Sequence, residues 1–301
     1  PYGPFESYPL NPVVTNRDLG GHQSRIQGIG HGDLVQTEDG TTFIVCLGFR
    51  QEGMWMPFHH LGREVFLVPV QWQQDGWFTA GVNGKVEAEM EMNLNASGED
   101  TCYDVSFEKL GADSLRWCHL RAYDQANYQF TEQGAKLRGN HFTLDDVDAP
   151  TFLGVRQSEF DTTLDVTVGG NSPEAGVTFY LCEDHHYDLY LAQADGGSRA
   201  ELRLTTGDAQ CVKASVPLEQ GQQEVKLHVE SDEEIYTFFA EIAGEKKELG
   251  KARTKYLSSE VAGGFTGTVM AMYAVNPEEK EDAWGEFTGL KWTMKKWGDN
   301  A

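Results

Sequence analysis

At 301 residues, with 40% apolar and 11% aromatic side chains, the chain is long enough for one large domain or two smaller ones, each with its own core. Asp and Glu total 47 against 24 Lys and Arg, and the resulting net charge of −23 is spread along the whole length. Such a surface repels phosphate backbones and excludes nucleic acid as the expected partner, whereas a neutral ligand such as a sugar is compatible with it. Apolar runs are short and broken by charge, so no bilayer span is expected, and the first residues lack the basic, apolar, small-residue order of a signal peptide. Cysteines 46, 102, 118, 182 and 211 are odd in number and show no Cys-x-x-Cys spacing. They read as mostly free, buried thiols, which tips the balance slightly toward a reducing, cytoplasmic compartment and leaves secretion open.

In chain order, the first distinctive segment is Gly28-Ile29-Gly30-His31-Gly32-Asp33. It lacks the Gly-Lys-Ser/Thr ending of a phosphate loop, and a strand follows rather than a helix. Its alternate glycines predict a tight backbone turn that brings His31 close to something, although a lone histidine is more often structural. Strands are predicted over Thr41–Leu47 and Arg63–Val70. Between them, His59 and His60 are adjacent, so on a strand they point to opposite faces and do not form a simple metal pair. Arg63 follows Gly62 and is expected to enter an apolar strand, where a buried guanidinium requires a carboxylate or ligand; Glu64, its neighbour, would point away.

A joint is expected near residues 84–104, where carboxylates accumulate and strand signal fades. Beyond it, alternation predicts strands over Phe160–Val168, Val177–Leu181, Asp188–Ala192, Ala200–Leu204, Val225–Val229, Ile235–Ile242, Thr268–Ala274 and Glu286–Met294. Glu278–Asp282 reads as a solvated turn. About a dozen short strands and almost no helical periodicity mean a sandwich, barrel or propeller. Asp145-Asp146-Val147-Asp148 and Glu183-Asp184-His185-His186 are the candidate cation sites, calcium first, but neither has the spacing of an EF-hand loop and most such turns are solvated.

Taken in series, several stretches resemble glycoside hydrolase family 43, in particular its β-xylosidases and α-L-arabinofuranosidases. They are Asn11-Pro12-Val13-Val14-Thr15-Asn16-Arg17, Ile26–Val35, Cys46-Leu47-Gly48-Phe49-Arg50, Pro57–Val70 and Asp75-Gly76-Trp77-Phe78, which are similar to the last segments of that family's five-bladed propeller. Trp117-Cys118-His119-Leu120-Arg121, Ala149–Gln157 and Glu174-Ala175-Gly176-Val177 are similar to its appended sandwich. The resemblance implies an all-β chain: residues 1–86 supply closing blades of a propeller, 87–103 a linker, and 104–301 a concanavalin-like sandwich. By length, residues 1–86 would make about two blades.

The same resemblance implies hydrolysis, with inversion, of terminal xylosyl or arabinofuranosyl residues on hemicellulose oligosaccharides, with no cofactor required. It puts the acid, the base and the third carboxylate ahead of Asn11–Arg17, so none of the catalytic residues is expected in this chain, which alone should be inactive. Three substrate-binding positions carry over: His31 beside the non-reducing sugar, Arg63 contacting substrate and base, and Phe265 in Gly263-Gly264-Phe265-Thr266-Gly267 as the sandwich aromatic that closes the pocket. Expected partners are a xylo- or arabino-oligosaccharide, the missing N-terminal propeller half and, to bury open strand edges, another copy of the chain. Two rival readings stand beside this one: a non-catalytic carbohydrate-binding module, and a structural subunit that completes a partner's active site.

Overall fold

The computed structural model describes residues 2–20, 23–53, 55–90, 103–194 and 196–297. They divide into two units, Pro1–Gly98 and Glu99–Ala301.

The first unit is built on four antiparallel strands in sequential order, β1 (Ile26–Gln36), β2 (Thr42–Arg50), β3 (Glu64–Trp72) and β4 (Phe78–Ala80). Short polar turns, with Gly40 and Gly76 at positive φ, make sequential pairing the economical topology. Among the described residues this is one four-stranded sheet, one blade's worth rather than the two expected from length; residues 2–25 form turns and extended chain. Buried Asn16 fixes that leading stretch: its Nδ2 donates to the carbonyls of Ile26 and Val86, and its Oδ1 accepts from the Val86 amide. Central strand β2 is the most buried, with Phe43, Ile44 and Cys46 against Val68 of β3. Strand β1 is largely exposed, and Val65 and Leu67 on the other face of β3 are 69% and 37% exposed.

The second unit is a two-sheet sandwich. It opens with β5 (Asp104–Val105) and a single helical turn α1 (Phe107–Leu110), capped by Ser106 Oγ accepting from the Lys109 amide. Strands β6 (Tyr128–Thr131), β7 (Gly134–Arg138), β8 (Thr151–Arg156), β9 (Thr162–Gly170), β10 (Glu174–Cys182), β11 (His185–Ala194) and β12 (Gly197–Thr206) follow. Then come β13 (Ala209–Pro217), β14 (Val225–Ser231), β15 (Ile235–Ile242), β16 (Glu245–Arg253), a short turn α2 (Ser259–Ala262), β17 (Val269–Val275) and β18 (Trp284–Met294). One sheet runs β13-β12-β11-β10-β17-β8; the other runs β16-β15-β14-β9-β18-β7-β6, with β5 paired to β18.

Alternation builds the core between them. Val177, Phe179, Tyr187, Leu189, Leu202 and Met272 face Leu164, Val166, Leu227, Phe238, Phe287 and Trp292. Each fully buried large side chain here contributes roughly 1.5–3 kcal/mol relative to exposure. The described residues include no helix long and apolar enough to cross a membrane.

Three expectations change. The glycine-rich hexapeptide lies within β1 rather than forming a turn. Strands β13 and β16 carry no alternating signal because they are exposed outer strands, where neither face has to be apolar. Cys46, Cys118, Cys182 and Cys211 are free, but only Cys46 is buried; Cys211 sits on outer strand β13. Cys102 and Asn95-Ala96-Ser97 lie outside the described residues.

Candidate functional site

His31 owes its position to two bulges in β1. Between the pairs Gln27–Phe49 and Gly30–Leu47, and again between Gly30–Leu47 and Asp33–Val45, β1 has two residues where β2 has one. Gly28 takes the first at φ 65°, and a β-carbon there would lie 2.2 Å from the Phe49 ring. His31 takes the second at φ 52°, a left-handed backbone uncommon for a side-chain-bearing residue. Gly32 beside it keeps the strand close to β2, since a β-carbon would come 2.9 Å from Ile44 Cγ2. The bulge thus aims an exposed imidazole away from the sheet, and it forms no hydrogen bond to another described residue. Backbone in this region costs of order 1–3 kcal/mol and concentrates at functional sites.

Arg63 immediately precedes Glu64, which pairs with Gly48, while His31 lies on the other side of β2, halfway along β1, between the pairs Gly30–Leu47 and Asp33–Val45. Gly62, at φ 73°, turns the chain into β3, and Arg63 is exposed just before the strand begins. This corrects the expectation of a buried Arg63. The buried guanidinium is Arg50, at the end of β2, whose Nε lies 3.1 and 3.0 Å from the two Glu64 carboxylate oxygens and whose Nη2 donates to Oε1 at 2.7 Å. Glu64 points away from Arg63 as strand alternation requires, and its partner lies on the neighbouring strand.

The segment between β2 and β3 folds back on itself, Glu52 pairing with Phe58. His59 stacks on Phe49 with centroids 4.0 Å apart and planes 10° apart. His60 turns the other way, its Nδ1 2.9 Å from Glu52 Oε1, both side chains almost completely buried. Sequence reasoning missed this pair, because nothing local links Glu52 to His60. Full burial keeps Glu52 from meeting a substrate. Three further carboxylates of the unit have local partners, Asp18 with Lys85, Asp39 with the Thr41 amide and Asp75 with the Trp77 amide, while Asp33, near His31 on β1, and Glu38 are exposed.

Phe265 belongs to the second unit. It follows Gly263 and Gly264, both at φ 77°, in the loop from α2 to β17, and is 69% exposed. A β-carbon at either glycine would meet nothing within 4 Å, so backbone angle and not space calls for glycine there. The loop returns to the sheet through the Gln157 amide donating to the Thr268 carbonyl at 3.0 Å.

The two acidic motifs, kept separate by sequence, meet outside the core on the six-stranded sheet. His186, in β11, lies with Nδ1 2.9 Å from Asp188 Oδ1 and Nε2 3.0 Å from Asp145 Oδ1. Only an imidazolium donates from both nitrogens. Burial by itself would lower the histidine's pKa, but Asp188 and Asp145 outweigh it and raise it to about 9. Asp188, completely buried, is held below its ordinary range: burial opposes ionisation, and His186 and Arg203 overcome it. Arg203 continues the chain, with Nε 2.8 Å from Asp188 Oδ2 and Nη2 2.6 Å from Glu174 Oε1. Asp146 bonds the Thr143 amide and hydroxyl, and Asp148 the Ala149 amide. The carboxylates of 145–148 therefore do not converge on a cation. Among the described residues no group of three or more His, Cys, Asp or Glu side chains is arranged to hold a metal ion.

Comparison with known proteins places this architecture. Residues 106–293 match the beta xylosidase C-terminal Concanavalin A-like domain, and residues 1–78 match glycosyl hydrolases family 43. The chain belongs to glycoside hydrolase family 43. The family 43 match over 1–78 contains His31, Arg63 and strands β1 to β3, while the sandwich match contains Phe265. A non-reducing end α-L-arabinofuranosidase of Bacteroides ovatus is 36% identical over 284 residues, covering 91% of this chain and 52% of the relative. A xylosidase/arabinosidase of Butyrivibrio fibrisolvens is 26% identical over 306 residues, covering 94% and 56%. The solved Bacteroides ovatus xyloglucan-locus family 43 protein superposes with a TM-score of 0.88 at 32% identity, over 98% of this chain and 59% of that one. The chain spans about half the length of the curated relatives it matches.

Proposed function

We propose that this chain is the C-terminal part of an inverting exo-glycosidase that releases terminal α-L-arabinofuranosyl or β-xylosyl residues from hemicellulose oligosaccharides. In this reading the acid and base come from residues outside the chain. The 36% match carries it, because it runs across both units and its partner is an arabinofuranosidase. Some of the local carboxylates support the second half: Glu52 is buried, and Glu64, Asp18, Asp39 and Asp75 are held by neighbours, while exposed Asp33, near His31, is covered by the turnover test below. Inversion needs two carboxyl groups roughly 6.5–9.5 Å apart with room for water between them.

The roles follow from chemistry. His31 and Arg63 are exposed donors on either side of β2 in the first unit, suited to sugar hydroxyls. The Arg63 guanidinium would also keep a nearby base ionised, as abstraction of a proton from water requires. Phe265, exposed on the second unit, would offer an apolar face to a sugar. The test uses aryl α-L-arabinofuranoside and aryl β-xyloside. The 301-residue chain alone should show no turnover, and adding the N-terminal half of the Bacteroides ovatus relative should restore it. Turnover by the chain alone, in protein free of host glycosidases, overturns the proposal.

A further inference from the structure

We infer that the sandwich carries a second carbohydrate site, a cleft for a neutral oligosaccharide on the outer face of the eight-stranded sheet, separate from the site proposed above. The cleft has a volume of about 530 Å³, within the range of pockets that hold small ligands. Its position follows from one missing side chain. Along the outer face, Gln129, Lys136, Glu286 and Gly169 stand in register on β6, β7, β18 and β9, with Glu224 just before β14. At Gly169 the row has a gap, with Glu224 on its far side: a β-carbon there would already lie 3.2 Å from Glu224 Cβ.

Trp284, at the start of β18, is the aromatic residue of this cleft. It is half-buried and stacks on no other described ring. Asn171 Oδ1 accepts from the Trp284 backbone amide at 2.8 Å, and the Trp284 carbonyl accepts in turn from the amides of Asn171 and Ser172. The Trp284 backbone is thereby fixed, and Asn171 Nδ2 is left to donate. Lys136 Nζ and Glu286 Oε1 are 2.6 Å apart, so the rim is polar with its single cation neutralised. A neighbouring hollow of about 470 Å³ shares Thr167 and Glu224 and continues past Lys226 and Glu241 toward Gly244.

One indole amid hydroxyl, amide and carboxylate groups fits a sugar, whose C–H face packs on an aromatic ring while its hydroxyls need donors and acceptors around the edge. The two adjoining hollows call for several linked sugar units rather than one. Glu224, Glu286 and Asp282 outnumber Lys136 around the indole, which disfavours polyanionic chains such as polyuronides. None of these residues belongs to the proposed exo-site, so the two readings stand or fall separately.

The experiment titrates the 301-residue chain with xylohexaose by calorimetry, alongside Trp284→Ala and Thr288→Arg. Thr288 is exposed in the same cleft, and arginine there fills it from the solvent side without touching the core. Binding by the parent chain is expected, with Trp284→Ala weakening it about tenfold. Thr288→Arg should do the same while melting like the parent. An oligogalacturonate should not bind. No heat with millimolar xylohexaose, affinity unchanged by Trp284→Ala or Thr288→Arg, or preference for oligogalacturonate would each overturn the inference.

Discussion

Replacing His186 with glutamine should change both the stability of the sandwich and its dependence on pH. In the parent the imidazolium donates to Asp188 and Asp145 at once. Glutamine is neutral and leaves Asp188, completely buried, with Arg203 as its remaining cation. The histidine's pKa is raised from 6.5 to about 9, so its charged form stabilises the fold fully below pH 6.5. That contribution fades as pH rises through about 9, because in this window the native state binds a proton the unfolded state has released. At 1.36 kcal/mol per pKa unit, the charge contributes about 3 kcal/mol. On the acid side, Asp188 and Asp145 are both held below 3.8, so the network survives until the pH drops under that value. The assay is urea unfolding of parent and variant at intervals from pH 5 to pH 10. The gap between them should be largest below about pH 6.5 and shrink by roughly 3 kcal/mol toward pH 10. Parallel curves across that range would refute the argument, since they would mean that His186 is neutral when folded.

Three further outcomes are expected. Arg50→Ala removes a buried guanidinium from part-buried Glu64, which should destabilise the first unit by roughly 1–3 kcal/mol, read as a lower midpoint in urea. In an enzyme restored with its N-terminal half, Arg63→Ala should lower kcat/KM roughly a hundredfold and Arg63→Lys should recover little, because a point charge does not reproduce a forked contact. Residues 99–301 expressed alone should give a β-type circular dichroism spectrum and a cooperative melt; a disordered spectrum would contradict the independent core between the two sheets.

Legibility in the sequence followed burial. Strands β9, β14, β15 and β18 each bury one face, so alternation marked them. Strand β16 reads EKKELGKAR, with Leu249 and Ala252 its buried residues, and no periodicity survives such exposure. Strand β1 escaped for a different reason: glycines that suggest a turn were accommodating bulges. At the candidate site, His31 and Arg63 lie on motifs that resemble the family, and both are exposed. The Arg50–Glu64 pair and the Asp145–His186 and Asp188–Arg203 contacts join residues on different strands or loops, and Glu52–His60 closes a connection that folds back on itself. Their partners are set by register, which no local pattern encodes.

The paired bulges in β1 have a consequence for how this strand tolerates change. Between Ile26 and Asp33 the strand advances seven residues while β2 advances five. Each surplus residue is absorbed in its own bulge, so the pairs before, between and after them, Ile26–Arg50, Gly30–Leu47 and Asp33–Val45, all face one another regularly. The outer half of β1, Leu34 to Gln36, stays paired with Ile44 to Thr42 whichever bulge is present. A single deletion at either bulge would therefore close that bulge alone. Losing the first would spare His31, whereas losing the second would remove the histidine's perch and leave the rest of the strand pairing unchanged.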